Sequence, residues 1–578
     1  MADTSPTPVV DESGVEELAG RRSASGGFDI ATPVGIFAVA FLLYALLPTR
    51  NFNYADDSLR WAYELTQKRS GLINGHHLYL NPMRQFYQWL DDIGVHVSPV
   101  SLLAIYSAFW GALGLAFLHL LLQRAGFRGL ALWACVACGL SAGYWSYSIV
   151  GDVYAPSIAL LVIGLFFTYQ AVCAPGERFP WRDTIAAVVA FALMLVHHQA
   201  LFFFVIGLGV GLLILRFGSF RRRLQLAFMI PGLVGAVAVI VYGFAYQYAK
   251  ASGLKIGFIR FCAGYVDAFD ARPDQKRFGI GSLLQFAMGE TRALVSTNVL
   301  FGEEHVALAV QSRYPTRAVY PYPYLVAGLP QWVAVAIGIL AIMAVLVAMW
   351  LIARGVWAGM RERELVTLIV VAAVPQLLFF VWWEGISDEF CLWTLPLLII
   401  LAVRGAAATE RSKQHLAVLS ALIGISTLVG STSLFWNAKN DIDYVNDGFA
   451  TTLTSSDFLV GFEDIQSDSR IKLLAHRNGF DYVNIRLFAP RWTDADEAKL
   501  ESAISGALAK GAKIHVSPRL THPPKSAITF MRNLNKNFDQ RRGAIIERLR
   551  RIPETEWPEL KVFLDDYFYS DGASPRPR

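Results

Sequence analysis

Charged side chains are scarce in this chain of 578 residues: Asp, Glu, Lys and Arg make up 17% of it, against roughly 25% in an ordinary soluble domain. With 54% hydrophobic residues alongside, that shortage excludes a disordered chain, a coiled coil and a cytosolic enzyme built from repeated small domains. A strong charge of one sign is also lacking. Lys and Arg total 51 and Asp and Glu total 46, which is too even a balance to indicate a nucleic-acid partner. Five cysteines in such a length make no disulfide framework. Cys135 and Cys138 form a CxxC, but it lies within an apolar run and has no second pair. It reads as helix filler rather than a zinc or redox site.

Long apolar runs, by contrast, are plentiful. Runs of about 20 apolar residues mark membrane helices. The first extends from Ala31 to about Pro48, behind a polar Ser-rich leader with Arg21 and Arg22. It has no small-residue cleavage site close behind, so it reads as a retained span and not a signal peptide. Further runs cover Val100–Leu122, Leu130–Val150, Val153–Val172, Ile185–Val196, Ala200–Leu215, Leu224–Tyr248, Leu325–Ala353, Leu365–Trp382, Leu392–Val403 and Leu416–Phe435. The fold expected is therefore an α-helical polytopic membrane protein with about eleven transmembrane helices. Residues 185–215 are either two short spans bent at His197–His198 or one long helix.

Lys and Arg in the short loops set orientation. The clusters are Arg124 with Arg128, Arg216 with Arg221–Arg223, Arg354 with Arg361 and Arg363, and Arg404 with Arg411 and Lys413. With residues 1–30 as a disordered cytoplasmic N-terminus, all of these fall on the cytoplasmic side, provided the double His divides two spans. The outer face then receives loops 51–98 and 249–324, the Gly151–Asp152 turn, His197–His198, Glu384–Cys391 and everything after Trp436. From residue 437 to 578 the apolar runs shorten to strand length, as in DFLVGFED, YVNIRLF and AKIHVS, and alternate with helix-like stretches at Asp494–Lys510 and Met531–Arg551. That pattern predicts a small extracytoplasmic α/β domain, with one helix ending through Gly511 into a buried strand. It carries no Gly-rich phosphate loop, metal-spaced His/Cys set or nucleophile elbow.

Chemistry-bearing residues gather in the outer loops. Asp56 and Asp57, in NYADDSLRWAYEL, lie close behind the first span. They can be the N-cap and first turn of a surface helix, or supply a general base at the membrane boundary. His76, His77 and Arg84 follow among aromatics, in a stretch where Pro82–Leu90 can lie flat as an amphipathic helix. The same basic residues suit a lipid-linked phosphate. Adjacent His side chains diverge on a helix, so metal binding is the weaker reading. Asp152 and Tyr154 mark one break between spans, His197 and His198 another, and Glu384, Asp388 and Glu389 a third. Ionisable groups at membrane depth, placed where helices are interrupted, point to a ligand path.

NYADD, GHHLYLNPM, YWSYSIVGDVYAPSIALL, LVHHQALFFF and WWEGISDEFCLWTLPLL together resemble the GT-C superfamily of polytopic glycosyltransferases, in its bacterial protein-mannosyltransferase and lipid-A aminoarabinose-transferase branch. The resemblance covers Phe28–Trp436 and none of the tail. It implies an enzyme of the bacterial inner membrane that moves a sugar from a polyprenyl-phosphate donor to an acceptor hydroxyl of a lipid, glycan or protein on the outer face. The anomeric carbon would be inverted. Asp56 or Asp57 would be the base, and His76, His77 and Arg84 would hold the lipid phosphate, with Arg260 or Lys255 as helpers. The double His and the α/β tail depart from the family pattern. The former leaves a divalent metal open, although no metal ligand set is assigned. A transporter or flippase of a lipid-linked saccharide would instead need midplane charges and related halves, and no internal repeat is evident. A non-catalytic scaffold displaying the tail is a third reading.

Overall fold

The structure is a computed structural model that describes residues 29–47, 56–67, 78–216, 218–251, 253, 255–259, 261–262, 278–295, 331–362, 365–384, 388–436, 452–462, 467–485, 493–517, 520, 532, 537–553 and 555–556. Among the described residues, each apolar run of the sequence lies mainly on helix. The membrane body comprises α1 (Ala31–Leu46), α2 (Asp56–Thr66), α3 (Leu80–Asp92), α4 (Pro99–Arg124), α5 (Arg128–Gly139), α6 (Ala142–Ser148), α7 (Tyr154–Val172) and α8 (Trp181–His197). It continues with α9 (Phe202–Ile214), α10 (Phe220–Ala251), α11 (Ile280–Leu294), α12 (Gln331–Glu362), α13 (Leu365–Glu384), α14 (Thr394–Ala407) and α15 (Ser412–Trp436). Among the described residues, five helices are long and apolar enough to cross a membrane alone, and α5 with α6, bent by 69°, makes a sixth such unit. The shorter apolar helices α1, α9 and α14 accompany them.

The surface of this body is apolar. Phe228 and Phe244 on α10 are 70% and 74% exposed, and Leu346 and Met349 on α12 are comparably bare. A water-soluble protein rarely shows such continuous apolar surface, whereas helices in lipid satisfy their backbone internally and can present it. Inside, small residues let backbones touch. A β-carbon on Gly355 of α12 would collide with the Leu401 carbonyl of α14, and one on Gly405 with the Leu351 carbonyl. Close approach through paired glycines is the usual device for joining membrane helices, where no hydrophobic drive operates.

The double His does divide two helices. α8 ends at His197, His198 is extended, and a single 3-10 turn, Gln199–Leu201, leads into α9. This break frees backbone groups that lipid cannot satisfy. Gln376, buried on α13, donates to the Ala200 carbonyl at 2.8 Å and accepts from the Phe204 amide at 3.1 Å. Tyr242 of α10 donates to the Leu195 carbonyl at 3.0 Å.

The basic clusters meet at one end of the bundle. Arg124 donates to the Cys173 carbonyl at 3.2 Å, and Arg222 donates to the Ala174 and Gly176 carbonyls. Arg354 reaches the Ala408 carbonyl, and Arg404 pairs with Glu362 at 2.7 Å. Guanidiniums at helix C-termini satisfy orphan carbonyls and suit the negative end of the dipole, so these residues serve packing as well as any orientation signal.

The tail is α/β, as its alternation predicts. Strands β1 (Asp457–Phe462), β2 (Asp481–Ile485), β3 (Lys513–Val516) and β4 (Thr555–Glu556) form one parallel sheet in the order β2-β1-β3-β4. Helices α16 (Ser467–Asn478), α17 (Asp494–Ala509) and α18 (Phe538–Arg550) lie between successive strands. Both faces of the sheet are covered, as a parallel sheet requires. Phe458 and Val460 enter a core with Leu500, Ile504, Phe538 and Ile545, while Leu459 on the opposite face meets Ile471 and Ala475 of α16. α17 opens with a capping box between Thr493 and Asp496, worth about 1 kcal/mol. It closes at Gly511, whose φ of +72° is the left-handed conformation glycine adopts freely.

Candidate functional site

The site lies at the end of the bundle away from the basic clusters, where α2, α3 and the helix breaks converge. α2 begins at Asp56 and buries Leu59, Trp61, Ala62 and Leu65. Asp56 and Asp57 therefore occupy its first turn, where backbone amides point at negative charge, and their side chains lie outside the described residues. His76, His77 and Arg260 also lie outside them. α3 matches the amphipathic helix expected around Pro82–Leu90. Phe86 and Trp89 are exposed, while Leu80 and Arg84 turn inward, the guanidine-bearing residue only 6% exposed.

Asp152 is 3% exposed and sits in the turn before α7. Its Oδ1 accepts from the Val153 amide at 2.5 Å. Its backbone is clasped by Ser107 of α4, which donates to the Asp152 carbonyl at 3.1 Å and accepts from its amide at 3.2 Å. At least one carboxylate oxygen thus serves the start of α7. Gly151 beside it lies against Leu103 with no room for a β-carbon. Tyr154, two residues on, stands edge-on to Tyr147 with ring centroids 5.2 Å apart, and its ring is 5.2 Å from that of His198. The Phe390 ring lies edge-on to His198 at 6.4 Å, so the turn after α13 joins the same cluster.

His197 has a different setting. Its ring stacks on Tyr79 at 4.6 Å, with Tyr106 and Trp110 of α4 around it. Nδ1 lies 2.8 Å from the Leu193 carbonyl and Nε2 lies 2.7 Å from the Tyr106 hydroxyl. A carbonyl only accepts, so Nδ1 carries the proton and Nε2 accepts from Tyr106. Both nitrogens are engaged inside the protein, which makes His197 a wall of the site, and His198 the member of the pair nearer the Tyr154 and Phe390 rings.

The third break supplies a 3-10 turn, Asp388–Cys391, on which Glu389 is half-buried. Glu384 closes α13 and Asp388 opens the turn; the side chains of both lie outside the described residues. Packed on this turn, and also on α6 and α13, is α11, from a stretch for which no apolar run or motif gave warning. It carries Glu290, whose Oε2 lies 2.6 Å from the Thr394 hydroxyl at the start of α14. Burial pushes this carboxyl up to about 8, against the lowering effect of Thr394 and Cys391. Among the described residues no group of three or more His, Cys, Asp or Glu side chains is arranged to hold a metal ion.

Sequence reasoning thus reached Arg84, Asp152, Tyr154, His198 and Glu389, which the fold brings to one end. It noted Tyr79 only as one of the loop aromatics, and missed Tyr106, Trp110, Phe390, Glu290 and Thr394. Tyr79 and Phe390 could have been suspected from their place beside helix ends, whereas Tyr106 and Trp110 lie within α4. Glu290 in MGETR carries no signal beyond being an acid near the end of a helix.

No protein-family model matches the chain, and no curated protein matches it either. Solved structures do. ArnT from Cupriavidus metallidurans bound to undecaprenyl phosphate is similar at 12% identity over 85% of this chain and 90% of that one, with a TM-score of 0.47. An oligosaccharyltransferase from Archaeoglobus fulgidus, tethered with an acceptor peptide, is similar at 11% identity over 82% of this chain and 68% of that one, with a TM-score of 0.44. The archaeal oligosaccharyltransferase AglB from Archaeoglobus fulgidus, in complex with an inhibitory peptide and a dolichol-phosphate, gives 12% identity, 77% and 64% coverage and a TM-score of 0.41. The solved structures that this chain is similar to are thus an ArnT and an archaeal oligosaccharyltransferase.

Proposed function

We propose that the chain is an inverting membrane glycosyltransferase, taking a sugar from a polyprenyl-phosphate donor to an acceptor hydroxyl on the extracytoplasmic face of the bacterial inner membrane. The observation that carries this reading is convergence. The acidic first turn of α2, the buried Arg84, and the breaks at Asp152, His198 and Glu389 all belong to one end of an otherwise apolar bundle.

In this reading Asp56 or Asp57 accepts the proton of the acceptor hydroxyl as its oxygen bonds to the anomeric carbon. The bond from that carbon to the phosphate oxygen breaks on the opposite face, and the lipid phosphate departs with the electron pair. Arg84, with His76 and His77, neutralises the charge that builds on the leaving phosphate. The lipid tail lies along apolar helix surface. Arg260, Asp152, Tyr154, His198, Glu384, Asp388 and Glu389 would surround the sugar and phosphate, and His197 would hold the aromatic wall. The acceptor, whether lipid, glycan or protein, approaches from the side of the C-terminal domain.

The test supplies purified protein, in lipid nanodiscs, with a panel of radiolabelled undecaprenyl-phosphate sugars and a membrane extract as acceptor source. Substitution of the true base, Asp56→Ala or Asp57→Ala, should lower transfer by about 10²–10⁴-fold. Undiminished transfer in both variants would overturn the base assignment, and ATP- or gradient-dependent movement of lipid-linked sugar without transfer would favour a flippase. A reporter fused after Arg578 should be active only outside the cytoplasm.

A further inference from the structure

We propose that Glu290 is a positioning residue of this site: as a neutral carboxylic acid it donates to Thr394, and so pins α11 to the turn that carries Glu389 and Phe390. The proposal deepens the glycosyltransferase reading, on which its functional consequence rests, while its structural core stands by itself.

The Thr394 hydroxyl has one hydrogen to donate and lone pairs with which to accept. Two oxygens lie at hydrogen-bond distance from it, Glu290 Oε2 at 2.6 Å and the Cys391 carbonyl at 2.5 Å. The carbonyl has no hydrogen, so Thr394 must donate there. The contact to Glu290 then needs a hydrogen of its own, and the carboxyl is the group that can carry it. The chain of donation runs from Glu290 to Thr394 to the Cys391 carbonyl, across three separate elements.

The surroundings agree with a neutral acid. Thr394 is 4% exposed and Cys391 fully buried. The other carboxyl oxygen, Oε1, is closed to solvent and has no bond of normal geometry among the described residues, and the Cys391 side chain beside the carboxyl offers only a weak thiol donor. A buried carboxylate in that state is costly, and a proton relieves it. The titratable or charged residues on the elements packed against Glu290 are Arg292 on α11, Tyr144 and Tyr147 on α6, Glu384 ending α13, Asp388, Glu389 and Cys391 on the turn, and Arg404 toward the other end of α14. None of them is the leading influence on the carboxyl, which is burial. α11 is also held by shape, since Gly143 of α6 leaves room where a β-carbon would meet the Ala293 backbone at 3.1 Å.

Through this link the turn is fixed. Phe390 stacks on Phe380 at 5.2 Å and reaches the His198 ring, and Glu389 precedes it. Releasing Glu290 would loosen the turn and with it one side of the sugar site.

The test is peptide-resolved hydrogen exchange on the full chain in nanodiscs, reading residues 388–396 without any substrate, for wild type, Glu290→Gln and Glu290→Ala. Glutamine keeps a neutral donor and should match wild type at pH 7, whereas alanine should speed exchange about tenfold, the equivalent of one net hydrogen bond. Raising the pH from 7 to 9.5 should narrow protection in wild type relative to Glu290→Gln at each pH, because only the acid loses its proton. Equal behaviour of glutamine and alanine, or parallel pH curves for wild type and glutamine, would overturn the proposal. Should alanine fail to fold, the second comparison decides. In the transfer assay Glu290→Gln should retain kcat within about threefold while Glu290→Ala raises the donor KM. Failure of transfer in wild type bears on the enzymatic reading alone, and leaves the exchange result intact.

Discussion

The hydroxyl of Tyr106 donates to Nε2 of His197 at 2.7 Å, while the other ring nitrogen of that histidine is spent on the Leu193 carbonyl at 2.8 Å. This bond joins α4 to the last turn of α8 beside the Tyr79 ring. Tyr106→Phe leaves a buried acceptor unsatisfied and should destabilise the protein by about 1–3 kcal/mol. His197→Ala should add the loss of ring packing. A fluorescence-monitored thermal scan in detergent measures both. A stability unchanged in Tyr106→Phe would show that the bond contributes nothing.

Gln376 makes a second such link, through the break at His198. Its amide serves both the Ala200 carbonyl and the Phe204 amide, at the point where α8 gives way to α9. Gln376→Leu keeps the volume and removes both bonds, so roughly 1–3 kcal/mol should be lost for each orphaned group. Gln376→Glu, retaining only an acceptor, should recover the Phe204 side alone. Hydrogen exchange at Phe204 separates the two variants, and equal exchange in both would refute the assignment.

In the C-terminal domain Asp457 of β1 lies 2.9 Å from Nε2 of His515 on β3. Burial works to raise its carboxyl, but the bonds from the Thr454 amide, His515 and the Thr454 hydroxyl together hold it below the usual carboxylate range. A depressed folded value means that the unfolded chain binds the proton more readily. The stabilisation is therefore present at neutral pH and lost as the pH falls through the folded value, below about 4. Protection of β1 amides should decline over that acid window in wild type and be lower, yet flatter with pH, in Asp457→Asn. A wild-type curve without an acid limb would contradict the account.

Much of this architecture was legible in the residues. Apolar runs bounded by Arg clusters located the helices, because lipid demands apolar surface and internally satisfied backbone. The alternation in DFLVGF and KIHV located β1 and β3 because a strand repeats every two residues. Partnership was hidden. The pairing of Gln376 with the His198 break joins residues far apart in the chain, and no local pattern couples them. Glu290 was hidden for the same reason: it is an unremarkable acid in sequence, and becomes unusual only when α11 folds against the Asp388–Cys391 turn. The paired glycines 355 and 405 likewise acquire meaning from the crossing of α12 and α14.

The C-terminal domain touches the candidate site through α2. α16 packs on α2, with His476 edge-on to Tyr63 at 6.3 Å and Leu473 against the core of the membrane body. α2 is the helix whose first turn holds Asp56 and Asp57. One face of α16 thus belongs to its own domain, through Ile471 and Ala475, and another to the helix that would present the base. Leu473→Asp places a charge in that apolar seam and should release α16 from α2 without disturbing the sheet. Exchange in α2 should rise while β1 to β3 stay protected. If the domain holds the base in position, transfer should fall mainly through kcat, since the proposed function assigns the donor phosphate to other residues. Faster exchange in α2 with unchanged kcat would make the domain a passenger in catalysis, and leave acceptor capture as its part in the reaction.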